Sequence, residues 1–410
     1  MSTAQTLFEF PSDGEGSIQR TLGEGGRITP LLKWPGGKAG ELARILPALP
    51  NDFDRYFEPF VGGGAVYFAM PSERQAFIND ASTDLMAFYG YVQKQDKGLF
   101  DYLGAMEQWW VAIASFTDAH AADLVEAFRS GRGATADEGL RTRKLVDSVL
   151  GELANTVPKL WADLETAFIA YARDLVPKKL ARMWAVQAQR GVDLPEADVW
   201  GNLEGAFKAA CYTTLRSAYN VSRSEGGSGA RHAALFFFLR EYAYAAMFRF
   251  NGRGEFNVPY GGMTYNRKDF AGKIERLQAP AVIDRLDSTT LFCEDFEAFL
   301  GVHSPTVNDF VFLDPPYDSD FSDYDRNSFG RRDHARLAAK MTDLPCRFQL
   351  VIKSTPAVLD IYANPSWHVL AFDKKYMWTI KERNNRDATH LMITNYAPEP
   401  IKAGSWGDPR

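Results

Sequence analysis

At 410 residues, 46% hydrophobic and 24% charged, the chain has a globular profile and exceeds what one small core needs, which excludes collagen-like, mucin-like and wholly disordered proteins. The net charge of −6 argues against a generic polycation but leaves room for local basic surfaces. The longest uninterrupted apolar run, Ala233 to Leu239, is too short to cross a bilayer, the first 27 residues have no apolar core for a signal peptide, and Cys211, Cys293 and Cys346 form no CxxC pair, so no membrane, metal or disulfide framework is expected and a reducing, cytoplasmic setting is.

Residues 1–27, rich in glycine, serine and acids, read as a disordered tail. From residue 28 the pattern turns to α/β. The run Arg55-Tyr56-Phe57-Glu58-Pro59-Phe60 reads as a strand ending at Val61-Gly62-Gly63-Gly64, with a helix start over 65–70. A second strand over Gln75–Ile78 ends at Asn79-Asp80. Strand, glycine turn, helix, strand and acid open a parallel α/β sheet.

Residues 100–215 read as a helical insertion with its own small core. Leu160, Leu164, Phe168, Tyr171 and Leu175 recur at helical spacing, and Trp109, Trp110, Trp161, Trp184 and Trp200 fall in the same stretch, more as packing than as stacking platforms. Ser222–Gly229 reads as a loop. The aromatic-rich run Phe236–Phe250 follows, and Asn251-Gly252-Arg253-Gly254 reads as a hairpin turn. Strand-like runs return at Val311–Leu313, Phe348–Ile352 and Leu391–Tyr396.

The glycine turn by itself is weak evidence, and a dinucleotide fingerprint would want glycine where Tyr67 stands. Asp80 strengthens it. Eighteen residues after Gly62 and at the end of the next strand, it is spaced to hold a ribose diol, so the ligand contains a nucleoside without needing a pyrophosphate. The run Lys33-Trp34-Pro35-Gly36-Gly37-Lys38 invites a phosphate-loop reading. That motif, however, needs glycine at Leu32 and Ser or Thr at Ala39, and ATP binding is discounted.

Val311-Phe312-Leu313-Asp314-Pro315-Pro316-Tyr317 carries the strongest signal, because it follows a buried strand, where open α/β sheets place ligands. Its chemistry suits methylation of an exocyclic base amine, a poor nucleophile whose lone pair is delocalised into the ring. Asp314 can accept one N–H and the Pro315 carbonyl the other. As the nitrogen becomes tetrahedral its hydrogens grow more acidic, so both acceptors bind the transition state better than the ground state. Pro315 and Pro316 stiffen the backbone that aims the carbonyl. Tyr317 offers a flat face for the base. A base inside a duplex cannot reach such a pocket and must be flipped out.

These residues resemble the Dam-type (D12 class, alpha-group) DNA adenine-N6 methyltransferases. The matching segments are LLKWPGGK (31–38), EPFVGGGA (58–65), INDASTDL (78–85), FRFNGRGEFNVPYG (248–261), LFCEDFEAF (291–299), VFLDPPYDS (311–319), Asn327-Ser328-Phe329 and LMITNY (391–396). The resemblance implies a Rossmann-like S-adenosylmethionine-dependent methyltransferase sheet (28–98 and 264–400) with an inserted, mainly helical target-recognition domain (99–263). It implies S-adenosylmethionine as cofactor and double-stranded DNA as partner. It places Trp34, Lys38, Phe60, Gly62, Gly64, Asp80, Asp295, Phe296 and Asp314 at the cofactor, with Gly62 and Gly64 against its methionine part and Asp80 on its ribose. Catalysis falls to Asp314, Pro315, Pro316 and Tyr317, and DNA contact to Lys33, Tyr244, Arg249 and Arg253. An asparagine typical of GATC-reading members is replaced by Ala245.

Two basic regions gain meaning from a DNA partner. Six arginines between Arg216 and Arg253 face only Glu225 and Glu241 and would line the groove; Lys374–Arg386 carries five basic residues against Glu382. The alternatives are a cytosine-N4 methyltransferase, which usually resembles Ser-Pro-Pro-Tyr, and a non-catalytic DNA-binding protein on the same fold. A monomer is favoured, and a cognate restriction endonuclease is left open as a partner.

Overall fold

The computed structural model describes residues 22–23, 27–130, 147–316, 329–375 and 387–398. Seven strands form the main sheet: β1 Tyr56–Glu58, β2 Ala76–Asn79, β3 Thr289–Phe292, β4 Phe310–Leu313, β5 Arg347–Lys353, β6 His368–Lys375 and β7 Asp387–Thr394. Their order is β3-β2-β1-β4-β5-β7-β6; β7 runs antiparallel to both its neighbours and the other pairings are parallel.

Burial on both faces explains the strand sequences. Every residue of β1 and β4 is buried, and continuous apolar runs such as Phe310-Val311-Phe312-Leu313 suit a parallel sheet covered on both sides. Alternation along each strand then divides the core. Tyr56, Phe310 and Phe312 face one cluster with Ile78, Phe88 and Trp109, whereas Phe57, Val311 and Leu313 face another with Phe299, Leu337 and Leu350.

The helices that matter to the site are α1 Thr83–Gln93, α2 Lys97–Ala119, α3 Glu165–Arg190, α4 Glu196–Ser224, α5 Gly229–Tyr242, α6 Phe296–Val302 and α7 Arg331–Asp343. Ser82 caps α1 by accepting from the Leu85 amide at 3.4 Å, and Asp96 caps α2 by accepting from that of Leu99 at 2.9 Å. Trp109, Trp110 and Trp161 are buried, as packing residues should be. They do not form a core of their own: side chains of α2 to α5 join those of the sheet in one continuous cluster.

Four local expectations are corrected. The segment after the glycine turn makes only a 3-10 turn, Tyr67–Ala69, because Met70 precedes Pro71 and is pushed into the extended region. The stripe expected from Leu160 is displaced. Lys159–Leu164 is a 3-10 helix, which breaks the 3.6-residue register, so Leu160 is exposed and the buried stripe of α3 is Phe168, Ala172, Val176, Leu180 and Met183. The Ser222–Gly229 loop shrinks, since α4 runs to Ser224 and α5 starts at Gly229. The strands β3 and β6 add to those read from the sequence. Among the described residues, no helix is long and apolar enough to cross a membrane.

Candidate active site

Strands β1 and β4 are hydrogen-bonded neighbours although some 250 residues separate them, and the strand order reverses between them. Open α/β sheets bind ligands in the crevice at such a switch point. Here the crevice is a pocket of about 540 Å³ over the C-terminal ends of β1, β2, β3 and β4. Trp34, Lys38, Phe60, Gly62, Asp80, Asp295, Phe296, Asp314, Pro315 and Pro316 all line it.

The first wall is a tight turn. The Gly37 amide donates to the Trp34 carbonyl at 3.1 Å, with Pro35 and Gly36 at the centre, and Gly36 takes φ +77° as the second central position requires. This turn carries Lys38 inward. Lys38 is buried, donates to the Gly36 carbonyl at 3.0 Å and forms an ion pair with Asp314, whose side chain retains 18% exposure. Asp314 stands just past the end of β4, so the pair bridges the two edges of the pocket.

The glycine turn makes the second wall. Gly62 and Gly64 hold φ +49° and +72°. A Cβ on Gly62 would come within 2.6 Å of Trp34 Cδ1, and one on Gly64 within 2.8 Å of the Phe68 ring. The room these glycines provide is thus taken by Trp34 and Phe68, which differs from the expected approach to a methionine group. Asp80 supports the turn: Oδ2 accepts from the Gly62 amide at 3.1 Å and Oδ1 from the Ser82 amide at 2.9 Å. Burial pushes the Asp80 carboxyl up, against the lowering effect of those two amides.

The third wall is aromatic. Phe60, Phe296 and Phe329 meet at 5.4–5.6 Å between ring centroids, and the Arg336 guanidinium lies 4.9 Å from the Phe296 ring centre. Asp295 caps α6 through the Glu297 amide at 3.0 Å and pairs with Arg336 of α7 at 2.6 Å. Both of those contacts fall on Oδ1, and Arg336 also donates to Oδ2 at 3.3 Å, so both oxygens are engaged by the protein.

Two pocket residues carried no role in the sequence reading. Asn79, buried at the end of β2, donates to the carbonyls of Pro59 and Glu294 at 3.0 Å and accepts from the Glu294 amide at 2.8 Å, tying the turns after β1 and β3 together. Glu58 is buried at the end of β1 and accepts from the Tyr56 hydroxyl at 2.6 Å. Burial raises its carboxyl well above the usual range, helped by the Asp314 charge. The signal for both was present, since Asn79 directly precedes Asp80 and Glu58 opens the matching segment that contains Phe60, but only the tertiary contacts reveal it.

Tyr317, Asn327 and Ser328 lie outside the described residues, as do 376–386 of the second basic region. The remaining DNA-contact candidates are exposed. Lys33 precedes the first turn, Tyr244 is 50% exposed, and Arg249 and Arg253 stand on the expected hairpin. The Asn251 amide donates to the Glu255 carbonyl at 2.9 Å, and Asn251 Oδ1 accepts from the amides of Arg253 and Glu255. The groove of six arginines is corrected. Arg240 is fully buried, donating to the Lys33 carbonyl with its guanidinium against the Trp34 and Phe248 rings; Arg223 and Arg231 pair with Asp84 and Asp163. Arg216 donates to the Val258 carbonyl at 3.1 Å. Burial removes Arg240 from any groove, while Arg223 and Arg231 keep side chains 40% and 36% exposed beside their carboxylate partners.

A seven-stranded, mostly parallel sheet with its pocket at the switch point is consistent with a methyltransferase fold. Residues 34–118 and 160–376 match the family described as D12 class N6 adenine-specific DNA methyltransferase. The chain is 23% identical to the Type II methyltransferase M.CviBI of Paramecium bursaria Chlorella virus NC1A over 90% of its length and 100% of that protein's. It is 28% identical to the Retron Ec67 DNA adenine methylase of Escherichia coli, over 55% of this chain and 67% of that one. With the DNA adenine methylase of Salmonella typhi it shares 30% identity over 37% of this chain and 49% of the relative. The chain belongs to the D12 class of N6 adenine-specific DNA methyltransferases, and it is an enzyme that methylates adenine in DNA.

Proposed function

We propose that the enzyme transfers a methyl group from S-adenosylmethionine to the N6 amine of an adenine flipped out of duplex DNA, with Asp314 as the principal acceptor of the amine hydrogens. The observation that carries this reading is the meeting of Asp314, Lys38, Asp80 and Phe296 in one pocket at the switch point. The residues present fit the donor: an apolar aromatic wall suits its adenine, and the strand-end carboxylate of Asp80 suits a ribose diol. When bound, S-adenosylmethionine supplies an electrophilic methyl on a sulfonium.

The chain's own residues do the rest. Phe60 and Phe296 form an apolar wall against which the nucleoside base lies, while Asp295, with its carboxylate already committed to Arg336, serves through its backbone and the helix it caps. Asp80 holds the ribose and at the same time fixes Gly62. Lys38 orients the Asp314 carboxylate toward the amine, and Asp314 with the Pro315 carbonyl draws on the two N–H groups as they acidify. Pro316 stiffens that backbone, and Tyr317 supplies the stacking face. On the DNA side, Lys33, Tyr244, Arg249 and Arg253 touch the duplex, with 99–263 as the target-recognition region. The enzyme acts as a monomer in the cytoplasm. A cognate restriction endonuclease as partner follows only from relatives named Type II methyltransferases.

The test is methyl transfer from tritiated S-adenosylmethionine to unmethylated duplex DNA, followed by nucleoside analysis. N6-methyladenine as the product and loss of transfer in Asp314→Ala are expected. Transfer undiminished in Asp314→Ala would remove the mechanism, and N4-methylcytosine would replace the substrate.

A further inference from the structure

We infer that Asp84 is a positioning residue for base recognition, tethering the recognition hairpin to the segment that holds the cofactor; this rests on the reading of the hairpin as a DNA-contacting element. Asp84 lies in the first turn of α1, four residues beyond Asp80, and is 6% exposed. Tyr219 of α4 donates its hydroxyl to Asp84 Oδ2 at 2.5 Å, and Arg223 of the same helix donates to that oxygen at 3.1 Å. His232 Nε2 of α5 lies 3.0 Å from Oδ1. Three groups from two helices thus converge on one buried carboxylate.

Tyr219 and Arg223 also touch the hairpin, and His232 supports Tyr219. The Tyr219 ring meets Phe248 and Phe256 at 6.5 and 6.1 Å, and the Arg223 guanidinium lies 4.4 Å from the centre of the Phe250 ring. His232 stacks on Tyr219 at 4.9 Å. Asn220, next to Tyr219, grips the backbone of Phe256 in both directions, at 3.1 and 2.8 Å. Phe248 and Phe250 flank Arg249, so the rings that Asp84 fixes are those that set the bearing of Arg249.

At the other end of the same short segment, Asp80 binds the Gly62 and Ser82 amides, and Ser82 caps the helix that carries Asp84. Burying a carboxylate costs more than packing an apolar side chain of similar size. What the carboxylate adds is direction, since hydrogen bonds fix side-chain bearings that apolar contacts leave loose. The consequence is a mechanical link between the nucleoside pocket and the base-reading surface.

The test uses the full chain, tritiated S-adenosylmethionine and a pool of duplexes with randomised sequence around one adenine, sequenced for modified bases. Tyr219→Phe keeps the ring and removes one hydrogen bond, Asp84→Asn removes the charge, and Arg249→Ala reports on the hairpin itself. In folded protein, checked by thermal melting, Tyr219→Phe and Asp84→Asn should each lower the preference for the cognate sequence by roughly three- to thirtyfold relative to the pool. Should Asp84→Asn fail to fold, Tyr219→Phe decides alone. Unchanged preference in folded Tyr219→Phe, with preference lost in Arg249→Ala, would overturn the tether and leave the hairpin reading standing. Unchanged preference in both would remove the hairpin reading and this inference with it.

Discussion

The Lys38 ammonium bonds directly to the Asp314 carboxylate, although the two residues are 276 positions apart in the chain. Lys38 comes from the turn that precedes β1 and Asp314 from the end of β4, and only the pairing of those two strands brings them together. The ion pair therefore joins the first motif of the chain to the proposed catalytic one.

From that relationship, Asp314→Ala should abolish methyl transfer, with a loss of about 3 kcal/mol or more in transition-state stabilisation, roughly a hundredfold or beyond in rate. Lys38→Met should lower both activity and melting temperature, and the double variant should fall short of the sum of the two, as expected for residues in direct contact. Single-turnover rates and thermal melts of all three variants measure this. Strict additivity would mean that the pair has no energetic reality.

Asp80→Ala should weaken S-adenosylmethionine binding more than DNA binding, since each charge-assisted hydrogen bond to a ribose hydroxyl is worth about 1.5–3 kcal/mol. The same variant loses the supports of Gly62 and Ser82, so a modest drop in melting temperature should accompany it. Calorimetry that finds cofactor affinity intact would reduce Asp80 to a strand-end cap.

Glu58 supplies a pH signature. Burial raises its carboxyl in the folded chain, so the protonated form is favoured there but not in the unfolded chain. Its contribution to stability is full below the ordinary carboxylate range and is lost as pH rises toward the folded value. Glu58→Gln, which can still accept from Tyr56, should therefore match the parent near pH 4 and grow more stable than it toward neutral pH. Melting curves across that range test the sign, and a constant difference would refute it.

Ala245 and Ala246 hold φ +51° and +52°, a left-handed conformation that costs an L-residue with a Cβ about 1 kcal/mol. Ala245→Gly should relieve part of that strain, because the Ala245 amide still donates to the Tyr265 hydroxyl at 3.1 Å. Ala245→Asn should do the same, since asparagine tolerates this region. Urea denaturation should show both more stable than the parent by up to about 1 kcal/mol. Destabilisation by both would place the strain elsewhere.

Arg249 is exposed and donates to Asn257 Oδ1 at a long 3.4 Å, which leaves its guanidinium facing solvent among the described residues. If it reads a guanine, Arg249→Ala should relax discrimination at one base pair by about 1–3 kcal/mol. A phosphate contact would instead lower binding uniformly and flatten the salt dependence by about one unit. Methylation of the cognate site and its single-base variants, at several salt concentrations, separates the two.

How much of this was legible in the chain differs from feature to feature. The strands β1, β2, β4 and β5 were readable because parallel strands buried on both faces are short continuous apolar runs, and the antiparallel β7 was readable from its apolar stretch Leu391-Met392-Ile393. The edge strand β3 was not, since its Thr-Thr-Leu-Phe is only partly buried and has no such contrast. Aromatic packing of the tryptophans followed from composition, whereas the buried face of α3 was displaced by a 3-10 segment that periodicity cannot foresee.

The chemistry is written locally: which residue types follow which strands, and hence a glycine turn, a strand-end Asp80 and an Asp-Pro-Pro run at the ends of buried strands. These are local facts, set by strand ends and turn residues within a few positions. Which charges are engaged within the protein depends instead on contacts between distant segments. Arg240 vanishes under Trp34, Arg223 is drawn to Asp84, and Lys38 is drawn to Asp314. Burial makes an uncompensated charge costly, and what each charge meets is chosen by packing between segments far apart in the chain, which no local pattern records.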